Sequence, residues 1–156
     1  MEQRLNAFEK RPAALKAMYA LGGYLAKSGL ERHLMDLVCF RVSQINGCAF
    51  CLDMHSKDLR AAGETEQRLY LLDAWREAPF YTERERAAFT WAEAVTKLTN
   101  NDVPDEVYAI ARKQFTEEEL VDLTIAVITI NSYNRINVAF RVQAGSYVVG
   151  QFAAQH

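Results

Sequence analysis

Residues 43–55 read SQINGCAFCLDMH and hold two of the three cysteines and one of the three histidines of the chain. Asn46-Gly47 is a turn signal, so we expect a helix to begin near Cys48. Residues three and four apart lie on the same face of a helix. Cys51 then lies one turn beyond Cys48, and His55 one turn beyond Cys51. The stretch therefore predicts two thiols and an imidazole on one helix face.

This spacing is suited to redox chemistry. Two thiols three residues apart at a helix start can close a disulfide with little backbone movement. The positive end of the helix dipole lowers the pKa of a thiol there, and His55 can accept a thiol proton or pair with a thiolate. The motif predicts a dithiol that an oxidant converts to a sulfenic acid and then to a disulfide. By position alone, Cys48 would be the more reactive thiol.

Two other interpretations of the cysteine pair remain open. The motif would supply three of the four ligands that structural zinc sites commonly use. The remaining candidates, Cys39, His33 and His156, show no ligand-like spacing, so we expect no metal. Buried cysteines also serve as small core residues. Cys39, which stands in an apolar run, is expected to be a core thiol of this kind.

Length and composition indicate one domain over residues 1–156, with residues 31–63 at its centre. Half of the residues are hydrophobic, 24% are charged and the net charge is −2. We therefore expect no general attraction to nucleic acid or to anionic membranes. The first residues lack the apolar run of a signal peptide, and the apolar stretch near Ile125–Ile130 is too short to span a bilayer. These features predict a cytoplasmic protein, in which a close cysteine pair is more often catalytic or metal-binding than structural.

Glycine, proline and capping residues divide the chain into helices. Pro12 suits the first position of a helix, and capping boxes stand at Thr82–Glu85 and Thr116–Glu119. The predicted helices are 12–27, 31–44, 48–62, 65–77, 83–100, 104–115 and one that starts at 117. Leu120–Ile130 alternates like a strand, but the preceding capping box favours helix. The segment 137–152, with a break at Gly145, is the candidate eighth helix. The expected fold is all-α, a bundle of seven or eight helices.

The motif, together with Asp36 twelve residues before Cys48, resembles the alkylhydroperoxidase AhpD-like branch of the carboxymuconolactone decarboxylase family. The run NRINVA at residues 134–139 carries the same resemblance, which extends over about residues 12–145. It implies an all-helical fold, a symmetric homo-oligomer such as a trimer or hexamer, and a thiol-dependent peroxidase activity. No cofactor is implied beyond a redox-active Cys48–Cys51 disulfide.

The resemblance also implies roles for single residues. Cys51 attacks the peroxide, Cys48 resolves the product, and His55 belongs to the proton relay. Asp36 stands where the family usually has a glutamate, and its side chain is one methylene shorter. Phe50 stands where the better-characterised peroxidases have a second histidine, so weak turnover is expected. The implied partners are a small-molecule peroxide and a dithiol reductant such as a dihydrolipoyl protein.

Further polar residues are candidates for supporting roles. Ser43, Gln44 and Asn46 precede the first cysteine and are expected to line the turn. Asn134 and Arg135 are embedded in an apolar segment, where burial would demand hydrogen-bond partners. We expect these two residues to line a pocket or to form an interface network.

Two alternative functions follow from the same residues. The other branch of the family implies a cofactor-free lactone decarboxylase, which uses acid–base groups and does not depend on a cysteine pair. A non-enzymatic alternative is a redox-responsive assembly protein in which the disulfide alters a subunit interface.

Overall fold

The computed structural model describes residues 2–152, and regular structure in that range is entirely helical. Eight α-helices follow one another along the chain: α1 Ala7–Lys10, α2 Pro12–Leu25, α3 Arg32–Asn46, α4 Ala49–Ala61, α5 Glu66–Leu71, α6 Glu83–Lys97, α7 Asp105–Arg112 and α8 Glu117–Phe140. Short 3-10 turns at Leu72–Ala74 and Thr99–Asn101 follow α5 and α6. The prediction of an all-α bundle is confirmed. His156 lies outside the described residues.

Helix α3 is the centre of the bundle and packs against α4, α6 and α8. Leu37, Val38 and Val42 on this helix are completely buried. Because three neighbours cover it, α3 carries apolar residues on more than one side and joins a core to which α6 and α8 contribute Phe89, Leu123 and Val127. The C-terminal end of this buried helix leads directly into the cysteine motif.

The predicted helix starts are confirmed at the capping residues. Thr82 and Thr116 each accept a hydrogen bond from the backbone N–H three residues later, and the glutamate at that position bonds back to the cap. Thr65 caps α5 in the same way, through the N–H of Arg68. Pro12 occupies the start of α2. These caps satisfy backbone donors that have no partner inside the helix.

The ambiguous stretch Leu120–Ile130 is helical, as favoured, and belongs to the 24-residue helix α8. Leu123, Val127, Ile130 and Asn134 are buried on one side of it at spacings of three and four. Val121 and Ile128 are exposed on another side. Apolar residues on both sides of the helix explain why the sequence alternates like a strand. No helix among residues 2–152 has the length and apolar character needed to cross a membrane.

The prediction of a separate eighth helix over residues 137–152 is wrong. Helix α8 continues through Asn137 and ends at Phe140, where Arg141 adopts left-handed backbone geometry with φ 55°. Residues 141–152, here called the C-terminal strap, are not helical. The strap lies against α4, where polar side chains satisfy its backbone. Lys57 donates to the carbonyl oxygens of Gly145 and Tyr147. The predicted break at Gly145 falls within the strap, with φ 106°.

The additional helix is α1, at the start of the chain, which was not predicted. Asn6 caps it by accepting hydrogen bonds from the N–H groups of Phe8 and Glu9. The fourth predicted helix is also shorter than expected, because α5 ends at Leu71 and a 3-10 turn replaces the last part.

Candidate active site

A tight turn positions the two cysteines. Gly47 ends α3 in the left-handed region, with φ 64°, which a glycine adopts without strain. The N–H of Cys48 donates to the carbonyl of Ser43 across this turn. Cys48 is the N-cap of α4, and its sulfur accepts a hydrogen bond from the N–H of Cys51 at 3.3 Å. The predicted turn at Asn46-Gly47 is therefore confirmed, and the motif begins a helix.

The two cysteines differ in their surroundings. A disulfide bond joins Cys48 to Cys51, and both residues are buried. Cys51 lines a cavity of about 670 Å³, whereas Cys48 is not part of the cavity wall. The side-chain amide of Asn137 donates to the sulfur of Cys51 at 3.3 Å. Cys51 is thus the cysteine that a molecule in the cavity meets, and Cys48 lies behind it.

His55 lies one turn after Cys51 and lines the same cavity. The side chain is buried, and its Nε2 atom has no hydrogen-bond partner among residues 2–152. Burial, with a smaller effect of the nearby Arg32 cation, lowers the pKa of His55 to about 4. The imidazole is therefore neutral near pH 7 and can accept a proton from a neighbouring thiol or from a ligand.

Asp36 also lines the cavity, but its carboxylate is paired with a residue that the sequence reasoning did not consider. Both carboxylate oxygens accept from the Nε of Arg32, at 3.1 and 3.0 Å. No bond connects Asp36 to the Nε2 of His55, which lacks a partner. Burial raises the pKa of Asp36, and Arg32 partly opposes this effect. The i, i+4 spacing of Arg32 and Asp36 was the signal that could have revealed the pair.

A network of amides and one hydroxyl joins the end of α3 to α8 beside the motif. The side-chain amide of Asn46 donates to the side-chain oxygens of Asn131 and Asn134, both at 2.9 Å. The amide of the fully buried Asn134 donates in turn to the hydroxyl of Ser43 at 3.1 Å. These contacts hold the turn that precedes Cys48.

The other predicted supporting residues are spread over different environments. Phe50 lines the cavity. Gln44 is outside the cavity wall and accepts a hydrogen bond from Arg41. Arg135 is exposed and donates to Asn131 of its own helix, so the structure does not bring it to the cysteines. Arg135 follows Asn134 directly, and adjacent helical residues point about 100° apart.

Cys39 is partly buried, packs against the core and lines the same cavity as Cys51. Burial raises the pKa of this thiol to about 12, so it remains protonated and unreactive near neutral pH. Residues 2–152 contain no group of three histidine, cysteine or acidic side chains placed to hold a metal ion.

Asn137 was missed by the sequence reasoning, although it lies in the run that carried the resemblance. Its assignment to a separate last helix hid its position on α8, three residues after Asn134. The spacing of Asn134 and Asn137 along one helix was the available signal.

Residues 12–94, slightly more than half of the chain, match the family model described as Carboxymuconolactone decarboxylase family. This chain belongs to that family. It is 44% identical over 146 residues to the uncharacterised protein YdfG of Bacillus subtilis, covering 94% of this chain and 99% of the relative.

Two further similarities connect the chain to the AhpD-like branch. The first is the crystal structure of a protein of unknown function from Agrobacterium tumefaciens, whose description refers to antioxidant defence and AhpD. It superposes with a TM-score of 0.89 at 44% identity, covering 94% of this chain and all of that one. The second is the alkyl hydroperoxide reductase AhpD of Caulobacter vibrioides, 51% identical over 39 residues, which cover 25% of this chain and 21% of the relative. The resemblance to AhpD-like proteins is confirmed.

Proposed function

We propose that this protein is a thiol-dependent peroxidase that cycles between a dithiol and a disulfide at Cys48 and Cys51. The observation that carries the proposal is the placement of the two sulfurs. Cys51 lines the cavity, and its sulfur accepts a hydrogen bond from Asn137. The sulfur of Cys48, a residue outside the cavity wall, is bonded to it. One cysteine can therefore meet a substrate while the other is in place to resolve the product.

The cycle has three balanced steps. The thiolate of Cys51 attacks one oxygen of the hydroperoxide, so that an S–O bond forms and the O–O bond breaks. The sulfur loses two electrons, and the departing alkoxide takes a proton and leaves as the alcohol. The thiol of Cys48 then attacks the sulfenic acid, water leaves and the disulfide forms. A dithiol reductant restores both thiols by thiol–disulfide exchange and is itself oxidised to a disulfide.

His55 suits the proton transfers that this cycle requires. Its imidazole is neutral near pH 7 because burial lowers its pKa to about 4, and its Nε2 atom is free of hydrogen bonds within the described chain. In the proposal it takes the proton of the Cys51 thiol only as the sulfur attacks, because a base of such low pKa holds a proton weakly, and for the same reason it gives the proton readily to the departing alkoxide. Asp36, held by Arg32, contributes a carboxylate to the cavity wall. Phe50 offers no proton at its position, so slow turnover is expected.

The proposed partners are a small-molecule peroxide, a dithiol reductant such as a dihydrolipoyl protein, and further copies of this chain. Val121 and Ile128 on α8 and Leu21 on α2 are exposed apolar residues on helices that pack together. Such a surface suits contact with a second copy. Native mass spectrometry should give the mass of a trimer or hexamer, and a monomeric mass would contradict this part of the proposal.

We also propose a cytoplasmic location, where dithiol reductants are maintained.

The proposal is tested by titrating free thiols after the reduced protein has reacted with tert-butyl hydroperoxide. Wild type should lose two thiols per chain, and Cys39 should remain free because its thiol is protonated. Cys51→Ser should lose none at a comparable rate. No loss in wild type, or the same loss in Cys51→Ser, would refute the peroxidase. Conversion of a carboxymuconolactone by a variant without both motif cysteines would support the decarboxylase instead.

A further inference from the structure

The disulfide between Cys48 and Cys51 is closed off from solvent. Each of the two cysteines is only 1% exposed, and their sulfurs are bonded to each other. In thiol–disulfide exchange a thiolate must touch one of the two sulfurs, so the rate depends on access. Part of the surrounding structure must therefore move before a dithiol can reduce this bond.

The helices around the disulfide are the stable part of its cover. Helices α3, α4 and α8 pack against one another, and each contributes a completely buried side chain to the core, such as Leu37, Leu59 and Val127. Local opening favours segments with few buried apolar contacts over core helices. The wall of the cavity at Cys51 also includes parts of the C-terminal strap and of the segment before α2, and these are the candidates for movement.

The C-terminal strap covers the cavity with little burial of its own. Among residues 141–152, Tyr147 is the one that is buried, and the others are partly or fully exposed. Val148 and Val149 are 69% and 50% exposed. The strap nevertheless supplies several residues to the cavity wall: Val142, Tyr147, Val149, Gly150 and Phe152. The strap is therefore held by one buried side chain and by polar contacts.

Tyr147 attaches the strap to the helix face that carries the reactive cysteine. Cys51, His55 and Asp58 stand four and then three positions apart, so they share one face of α4. The hydroxyl of Tyr147 donates to both carboxylate oxygens of Asp58, at 2.8 and 2.9 Å. The ring of Tyr147 stacks on Phe152, with 5.7 Å between the centroids. The end of the strap is thus organised around Tyr147 and lies at the cysteine face.

A second attachment lies on another side of α4. Asp53 accepts a hydrogen bond from the N–H of Gly145 at 2.9 Å. Lys57 donates to the carbonyl oxygens of Gly145 and Tyr147, at 3.3 and 3.0 Å. The Lys57 side chain is 35% exposed, so water can replace these bonds when the strap lifts, and the net loss is small. Gly145 has a φ of 106°, which a glycine adopts without strain.

We propose that the C-terminal strap is a lid over the cysteine face of α4, which opens to let a dithiol reach the sulfur of Cys51. The proposal rests on the dithiol–disulfide cycle proposed above and adds an opening step to it. A thiolate of the dithiol attacks the sulfur of Cys51, the bond to Cys48 breaks, and Cys48 leaves as a thiolate. The N–H of Cys51, which already donates to the sulfur of Cys48, stabilises this leaving thiolate. The second thiol of the reductant then attacks the mixed disulfide, which releases the Cys51 thiolate and leaves the reductant as a disulfide.

The test measures how fast excess dithiothreitol reduces the disulfide, by counting free thiols over time. Lys57→Met removes the donor to the strap carbonyls at similar length, and Tyr147→Phe removes the bond to Asp58. Each variant should be reduced about tenfold faster, as expected when a hydrogen bond with a charged partner is lost. Hydrogen exchange at the backbone amides of residues 145–151 should increase by the same factor. Faster exchange of the strap with reduction at the wild-type rate would overturn the proposal.

Three further variants show whether the effect belongs to the strap. Lys113→Met and Tyr108→Phe alter exposed residues outside the cavity wall and are the matched controls, so they should leave both rates unchanged. Arg4→Met loosens the segment before α2, because the Arg4 side chain donates to the carbonyl of Ala139. Its rate of reduction should also stay at the wild-type value. An increase in Arg4→Met, without one in the two strap variants, would assign the cover to that segment and overturn the lid.

The equilibrium constant for reduction by dithiothreitol separates a lid from a weakened disulfide. A lid that closes equally over both redox states changes the forward and reverse rates alike, so the equilibrium constant should match that of wild type in both strap variants. A faster reduction with an equal shift of the equilibrium constant would mean that the disulfide itself is weaker, and would overturn the lid. None of these measurements uses a peroxide, so they decide on the lid whether or not the protein reacts with tert-butyl hydroperoxide.

Discussion

The side-chain amide of Asn137 donates a hydrogen bond to the sulfur of Cys51, with 3.3 Å between Nδ2 and Sγ. This contact joins α8 to the first turn of α4. An N–H donor stabilises a charged acceptor more than a neutral one. In the reduced protein the same donor favours the thiolate of Cys51 over the thiol. Asn137 therefore supplies the sulfur of Cys51 with one hydrogen-bond donor. The sulfur of Cys48 has a corresponding donor in the backbone N–H of Cys51.

Replacing Asn137 by Leu removes this donor at similar volume. A hydrogen bond to a charged group contributes about 1.5–3 kcal/mol, so the pKa of the Cys51 thiol should rise by about 1–2 units. The pH dependence of alkylation measures it in a Cys48→Ser background. There Cys39 interferes little, because its pKa is about 12. Ser132→Ala on the same helix is the control, and an unchanged pKa in Asn137→Leu would show that the contact does not favour the thiolate.

His55 should make stability depend on pH. Its pKa is about 4 in the folded protein and about 6.5 in an unfolded chain. The unfolded state therefore binds the proton first as the pH falls. Stability is retained above about pH 6.5 and is lost between pH 6.5 and 4, by about 2 kcal/mol at pH 5. Urea unfolding at pH 7.5 and pH 5 measures this. The His55→Leu variant should lose this part of the difference, and the same difference in both proteins would refute the assignment.

Arg32 should lower the pKa values of the two titratable groups beside it, Asp36 and His55. It lowers the pKa of Asp36 and also, to a smaller extent than burial, that of His55. In Arg32→Gln the pKa of both groups should therefore rise, as followed by NMR titration of the carboxyl carbon and of the imidazole ring. Arg60→Gln, an exposed arginine on α4 outside the cavity wall, should leave both unchanged. A fall of either pKa would contradict the described electrostatics.

Asn134 should matter for stability, although it is not proposed to touch the substrate. Asn134→Leu leaves the buried hydroxyl of Ser43 and the amide of Asn46 without this partner. Ser43 keeps its hydrogen bond to the carbonyl of Cys39, and Asn46 keeps its bond to Asn131. The variant therefore loses two hydrogen bonds of about 0.5–1.5 kcal/mol each, and the free energy of unfolding should fall by about 1–3 kcal/mol. The neighbouring Arg135 is exposed, and Arg135→Gln should change it by no more than about 0.5 kcal/mol. Urea denaturation compares the two, and equal effects would refute the role of the network.

The attachment of the C-terminal strap to α4 should depend on Tyr147. This buried side chain donates to the carboxylate of Asp58, with 2.8 and 2.9 Å to its two oxygens. Tyr147→Phe should increase hydrogen exchange at the backbone amides of residues 145–151 by about tenfold or more, because a hydrogen bond to a charged group is lost. Val148→Ala at an exposed neighbour should have little effect. Unchanged exchange in Tyr147→Phe would show that other contacts hold the strap.

Local signals predicted most of the fold because they act within a few residues. The capping boxes at Thr82 and Thr116 and the glycine at position 47 each fix a helix end through their own backbone geometry. The same reasoning failed for residues 141–152. Their apolar sequence resembles a helix, but Lys57 and Asp58 on α4 pair with them across about 90 positions of the chain. Contacts at such a separation leave no periodic pattern in the sequence.

In the candidate site, too, features within one helix could be predicted and contacts between helices could not. The spacing of Cys48, Cys51 and His55 follows from one helix and could be predicted. The contact of Asn137 with Cys51 depends on how α8 packs against α4, and the cavity depends on four helices and both ends of the described chain. A sequence indicates the chemistry within an element far better than the distance between elements.

The most direct test of the central claim is the position of the sulfenic acid after one equivalent of hydroperoxide. The reduced Cys48→Ser and Cys51→Ser variants are treated with tert-butyl hydroperoxide and dimedone and are then analysed by peptide mass spectrometry. The account predicts a dimedone adduct on Cys51 in Cys48→Ser and no comparable adduct on Cys48 in Cys51→Ser. An adduct on Cys48 alone would reverse the roles of the two cysteines, and the absence of adducts in both variants would contradict the peroxidase.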